Sequence, residues 1–195
     1  MQEIELKFQI PVGALGAVRA HVLDVARSQQ SGPLGEQILQ AAYFDTHDRK
    51  LARARAALRV RREDDDWVQT LKAAGPHALS RLEDNQPLPA PTPGTPIAPD
   101  LARHTGEARA ALVRDLGWQP DTDPAGAHTG LVQLYRTDMR RLRAQQAVHT
   151  ADGRFLGLVE LALDLGEIAA GALRNPVQEL EIELVEGHPL AVIEA

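Results

Sequence analysis

The sequence predicts an α+β protein dominated by antiparallel sheet, with the strands closing into a barrel whose interior is charged and whose outside is covered by helices. Three observations predict it. Short runs with a two-residue alternation of polar and apolar positions recur along the chain and are separated by turn residues. Only two long stretches carry apolar residues at helical spacing. The polar side of strand after strand is filled by Glu, Asp, Arg and Lys, whereas a solvated sheet face tolerates any hydrophilic residue.

Taken in order, residues 2–10 alternate Glu3, Glu5 and Lys7 against Ile4, Leu6 and Phe8, the period of a strand. Pro11 then opens a helix to about residue 30, in which Leu15, Val18, Val22 and Val25 recur at three- and four-residue steps. A strand over 37–44 leads to 57–62, the acidic turn Asp64-Asp65-Asp66 and 67–72, which reads as a hairpin. Residues 86–99 hold six of the thirteen prolines and form an irregular connection. A helix follows from about Asp100, its N-cap, to Leu116. Strand-like runs return at 131–137, 140–150, 157–164 and 177–185, and another helix is expected to start at Pro189. Tyr43 and Phe44 read as core, with Asp45 as a turn or capping residue.

Composition bounds the function classes. With 195 residues, 44% hydrophobic and 25% charged, the chain is expected to form one domain spanning 1–195. No run is long and apolar enough for a membrane helix, and the N-terminal residues are acidic where a signal peptide is basic, so a cytoplasmic location with no membrane partner is expected. The absence of cysteine excludes disulfides, thiolate zinc sites and a cysteine nucleophile. A net charge of −6 argues against a nucleic-acid partner. The seven histidines fall into no metal-ligand spacing, and no GK[ST] follows Gly13 or Gly16, so there is no P-loop. A homodimer is compatible with the sequence, though no feature argues for it.

The charged faces carry the chemistry. Glu3, Glu5 and Lys7 share one face, as do Arg59 and Arg61, Thr70 and Lys72, Arg81 and Glu83, Glu160 and Asp164, and Glu179, Glu181 and Glu183. Successive members lie about 6.6 Å apart along a strand. Three aligned glutamates repel one another unless something offsets the charge. A hard divalent cation such as Mg²⁺ or Mn²⁺ does so directly, and arginines facing the same space complete the balance if a polyanion lies between. Divalent metal with Arg and Lys is the combination phosphoryl transfer requires.

These residues resemble the CYTH family, the triphosphate tunnel metalloenzymes. GluIleGluLeuLys (3–7) is similar to its ExExK signature, and TyrPheAspThr (43–46), LeuArgValArg (58–61), ThrLeuLys (70–72), ArgLeuGluAsp (81–84), TyrArg (135–136), AlaLeuAspLeuGlyGlu (162–167) and GluLeuGluIleGlu (179–183) follow in the family's order. The similarity is to the bacterial inorganic triphosphatase branch, and the histidine-rich helical domain that follows in some members is not expected within residues 1–195. The resemblance implies an eight-stranded antiparallel tunnel with Mg²⁺ or Mn²⁺ as cofactor. It implies metal-facing carboxylates at Glu3, Glu5, Asp164, Glu179 and Glu181, and catalytic roles for Glu5, Lys7, Asp164 and Glu179. It further implies phosphate contacts at Lys7, Arg59, Arg61, Lys72, Arg81 and Arg136. Strand alternation puts Arg141 and Arg143 on one face, expected to be the tunnel side, with Arg140 and Leu142 on the other.

The expected activity is hydrolysis of inorganic triphosphate to pyrophosphate and phosphate. On the same tunnel the family supports thiamine triphosphatase and class IV-type adenylate cyclase, and the scarcity of aromatics favours the smallest substrate. The competing reading is a non-catalytic polyphosphate-binding module. An RNA 5′-triphosphate is a third candidate substrate.

Overall fold

The computed structural model describes residues 4–28, 35–74, 81–92 and 94–195, with the backbone alone at Arg81. It contains eight strands: β1 (Glu5–Gln9), β2 (Gly35–Thr46), β3 (Ala57–Glu63), β4 (Asp66–Ala74), β5 (Arg81–Leu88), β6 (Leu131–His149), β7 (Phe155–Ala170) and β8 (Leu173–Gly187). The helices are α1 (Leu15–Ser28), α2 (Lys50–Arg53), α3 (Gly106–Leu116) and α4 (Ala191–Glu194). The strands form one sheet in the order β1-β8-β7-β6-β2-β3-β4-β5, and every pair whose register is defined is antiparallel. No helix among the described residues is long and apolar enough to cross a membrane.

The chain packs as two compact units. The first comprises Met1–Ile38, Asp138–Ile168 and Arg174–Ala195. Its apolar strand positions, among them Ala144 and Val148 of β6, Val159, Leu161 and Leu163 of β7 and Ile182 of β8, pack with Val22 and Val25 of α1 and with Ala191 and Val192 of α4. Alternation then sends Glu160 and Asp164 of β7 and Glu179, Glu181 and Glu183 of β8 to the opposite face. Pro11 sets up the start of α1 through a short 3₁₀ turn at Val12–Ala14.

Gly166 on β7 allows close approach of β6 in this unit. A methyl group there would lie inside the contact distance of the Asp138 carbonyl oxygen and 2.8 Å from the Met139 sulfur. Gly166→Ala is therefore expected to destabilise the protein by about 1–3 kcal/mol, measured by denaturant unfolding, because the backbone of β6 has to move.

The second unit comprises Leu39–Thr137 and Ala169–Leu173. Here Phe44, Leu58, Val60, Leu71 and Ala73 face Leu51 of α2 and Ala108, Ala111, Leu112 and Leu116 of α3. Asp45 acts as the cap that the sequence predicts: its carboxylate accepts from the backbone N–H groups of Thr46 (2.7 Å), Leu51 (2.9 Å) and Ala52 (3.0 Å), which starts α2. The β3–β4 hairpin turns at Asp64 and Asp65, with Asp66 already in β4 opposite Glu63.

Three local expectations change. The helix expected over 100–116 is divided. Asp100 caps a 3₁₀ turn at Leu101–Arg103, accepting from the Ala102 N–H, and α3 begins only at Gly106, since His104 and Thr105 are extended. The cause is His104, which is fully buried with its Nδ1 2.5 Å from Asp84 Oδ2 on β5. Residues 131–137 and 140–150 belong to one strand, β6. Finally, β5 continues through Pro87, which the last strand in this order tolerates better than a central strand would.

Candidate functional site

In the first unit, β1 lies along β8 with Glu5 opposite Glu183, Lys7 opposite Glu181 and Gln9 opposite Glu179. The Lys7 ammonium sits 2.5 Å from Glu181 and 3.6 Å from Glu179. Burial opposes its charge, yet the two glutamates outweigh that and hold the Lys7 pKa above its ordinary value. Arg141 of β6 donates from Nε and Nη2 to the two oxygens of Asp164, both at 2.7 Å, and from Nη2 to Glu181 at 2.6 Å. Arg143 makes the corresponding fork to Glu160 at 2.9 and 2.6 Å. Lys7, Glu181, Arg141 and Asp164 thus form a continuous chain of alternating charge. Arg140 is exposed on the other side of its strand, as alternation predicts.

In the second unit, Arg59 and Arg61 of β3 face away from the apolar core, as do Thr70 and Lys72 of β4 and Glu83 and Asn85 of β5. The register places Arg59 opposite both Tyr43 and Thr70, and Lys72 opposite Glu83. Lys72 lies 3.0 Å from Glu83, and Arg61 is paired with Glu63. Arg59 differs from these in that, among the described residues, its guanidinium has no ion-pair partner. Its buried Nε has no hydrogen-bond partner there either.

Tyr43 was expected in the core beside Phe44. Adjacent strand residues point to opposite faces, and only Phe44 joins the core, while the Tyr43 ring stacks on Tyr135 at 4.5 Å. Burial, then Tyr43, raise the Tyr135 pKa against the charges of Arg49 and Arg59. Arg136 is exposed beside Tyr135. Glu3 lies outside the described residues, as does the Arg81 side chain, whose backbone stands opposite Ala74. Among the described residues no three acidic or histidine side chains converge as a metal-binding cluster.

The Glu83 carboxyl is held below its usual range: burial works against the charge, but Lys72, Asn85 and Arg59 outweigh it. A carboxyl whose pKa is depressed on folding stabilises the protein fully above the ordinary glutamate value of 4.5, and that contribution is lost as the pH falls through the folded-state value. Glu83→Gln is thus expected to flatten the acid side of the stability curve, read as Tm between about pH 3 and 7.

In each unit one face of the strands packs under helices and the other is set with rows of acid and base. The chain belongs to the CYTH domain family, whose profile matches residues 1–195. Members of the family are often triphosphatases or cyclases, and its triphosphate tunnel metalloenzymes use divalent metals. Among solved structures the chain is similar to a candidate adenylate cyclase from Bacillus halodurans, with 18% identity and a TM-score of 0.53 over 98% of this chain and 84% of that one. This likeness shows the fold. It also matches a candidate adenylyl cyclase from Hippeastrum with a dominant triphosphatase activity (21% identity, TM-score 0.47, 94% of this chain and 80% of that one). A third match is the inorganic triphosphatase NE1496 (16% identity, TM-score 0.34, 98% of this chain and 78% of that one).

Proposed function

We propose that this chain, acting as one catalytic domain, is a metal-dependent triphosphatase that hydrolyses inorganic triphosphate to pyrophosphate and phosphate within a closed β-tunnel. The observation that carries this reading is Arg59. A buried N–H without an acceptor costs about 1–3 kcal/mol, and a phosphate oxygen is the acceptor a guanidinium suits best. Lys72 and Arg61 share its face and add charge for a substrate with several phosphates; Arg81, Arg141 and Arg143 are the further contacts we assign, whereas Arg136, adjacent in β6 to Tyr135 of that face, points to the other side.

The acidic rows fit a hard divalent cation by their donor chemistry, since they offer carboxylate oxygen alone. Glu5 stands directly opposite Glu183, an arrangement of like charges that weakens strand pairing and that a cation would relieve. Glu3, Glu5, Asp164, Glu179 and Glu181 are the residues we assign to Mg²⁺ or Mn²⁺. When bound, the ion neutralises charge on the phosphate oxygens. The chain's own residues do the rest: the basic groups hold the phosphates in line, and a Glu5 or Glu179 carboxylate oxygen takes the proton of the attacking water as the water oxygen bonds to the terminal phosphorus and the phosphoanhydride P–O bond breaks, its electron pair leaving with pyrophosphate. Lys7, held by Glu181 and Glu179, offsets the charge that develops on the leaving pyrophosphate.

A second reading is favoured by one observation. The stacked Tyr43 and Tyr135 rings belong to the face of Arg59, where they offer an aromatic surface to an organic group on the phosphate chain, as in thiamine triphosphate or a nucleotide.

The test is phosphate release from inorganic triphosphate, thiamine triphosphate and ATP with Mg²⁺, with Mn²⁺ and with chelator. Release from inorganic triphosphate that needs metal and is lost in Glu5→Gln supports the first reading; a preference for the organic triphosphates supports the second. Binding without release under any metal would overturn both in favour of a polyphosphate-binding module.

A further inference from the structure

Lys72 is a long, flexible side chain, and the face that holds it contains a device for fixing it. Thr70 is fully buried, and its Oγ1 donates to Asn85 Oδ1 at 2.7 Å. Asn85 Nδ2 donates to Glu83 Oε1 at 3.2 Å, and the other Glu83 oxygen lies 3.0 Å from the Lys72 ammonium. The register explains the order of the chain. Thr70 is opposite Asn85 and Lys72 is opposite Glu83, so two adjacent rows of the β4–β5 pair are linked through the amide of Asn85.

The asymmetry of that amide is what makes it suitable. Its oxygen accepts from a buried hydroxyl, which leaves the NH₂ end directed to the carboxylate. A leucine of similar size could do neither, and a hydroxyl would be too short to link the rows. Glu83 is thereby bonded on both oxygens, which restricts the swing of the carboxylate that pairs with Lys72. Arg59 shares the row of Thr70 and Asn85, one step from the row of Lys72. A lysine fixed before substrate arrives loses less rotamer entropy on binding.

We propose that Asn85 is a positioning residue for the phosphate grip, acting through Glu83 to hold the Lys72 ammonium in the row next to Arg59 without itself touching phosphate. This rests on the reading of the Arg59–Lys72 face as a phosphate site.

The experiment measures triphosphate binding by calorimetry in chelator, where no turnover intervenes, together with kcat and KM in metal. Asn85→Leu is expected to weaken binding about tenfold and to raise KM more than it lowers kcat. Thr70→Val, which keeps shape but removes the hydroxyl, is expected to weaken binding about threefold, and Thr70→Ser to restore it; this pair keeps the test open if Asn85→Leu does not fold. In a Lys72→Ala background the Asn85→Leu and Thr70→Val losses should shrink to less than about twofold, because residues that act through one group are not additive. Losses that persist in full in that background, or binding unchanged by both substitutions, would overturn the inference while leaving the phosphate site standing. If Lys72→Ala alone leaves triphosphate binding unchanged, the phosphate reading of this face falls and the inference falls with it.

Discussion

Arg141→Gln is expected to lower the free energy of unfolding by about 3–5 kcal/mol. Arg141 holds both oxygens of Asp164 and one of Glu181, and the Asp164 side chain is only 10% exposed. Truncating the guanidinium leaves Asp164 buried without its fork, and an uncompensated buried carboxylate is far costlier than a missing surface pair. Lys7 remains on Glu181, so the loss is concentrated at Asp164. The Arg141 pKa points the same way: burial lowers it, but Asp164 and Glu181 overcome this and raise it above the ordinary value. Chemical denaturation with an unchanged m-value would establish the effect as a loss of stability. Arg141→Leu combined with Asp164→Leu should recover part of it, since removing both charges leaves nothing unpaired. A single substitution costing less than about 1 kcal/mol would mean the pair behaves as a surface contact.

Arg59→Ala is expected to show the opposite profile. Turnover of triphosphate, as kcat/KM, should fall by about 10²–10³-fold, the usual cost of removing one fixed donor from developing phosphoryl charge. Stability should be unchanged or slightly higher, because the substitution removes a buried Nε that has no acceptor among the described residues. Arg59→Lys should rescue little, as an ammonium cannot reproduce the planar fork. The contrast between the two arginines is one of bonding: Arg141 is satisfied within the protein, and Arg59 is not. A large stability loss in Arg59→Ala with triphosphate turnover retained would remove the main support for the phosphate reading.

The charged rows were legible because strand alternation is a strong rule. Once Ile182 is apolar, Glu181 and Glu183 have to share the other face, and Arg141 and Arg143 follow in the same way from Leu142. Tyr43 shows the rule set aside: two neighbours in a strand cannot both enter one core, and Phe44 is the one that does. The break in the helix before Gly106 was not legible. Asp100, Ala102, Arg103 and the residues after them favour a helix locally, and what interrupts them is a tertiary contact, His104 on Asp84, between residues with no sequence pattern in common. The Thr70–Asn85–Glu83–Lys72 linkage was hidden for a related reason. Its members lie on two strands, and only the register of β4 with β5 brings them together. Family membership, by contrast, was legible in motifs that follow one another along the chain, which the sequence displays directly, and the family match spans residues 1–195.

The pairing of β1 with β8 has a consequence for how the protein is made. Glu5, Lys7 and Gln9 leave the ribosome long before the strand that receives them, Glu179 to Glu183, has been made. Until then Leu6 and Phe8 have no partner strand and Lys7 has no glutamate row beside it. The first unit therefore completes only after Glu179 to Glu183 have been synthesised, and its formation is governed by a contact of very long sequence separation. A ribosome stalled before residue 179 would carry a nascent chain whose β3–β4 hairpin can already close, while β1 waits, exposed to chaperones and to other unpaired edges.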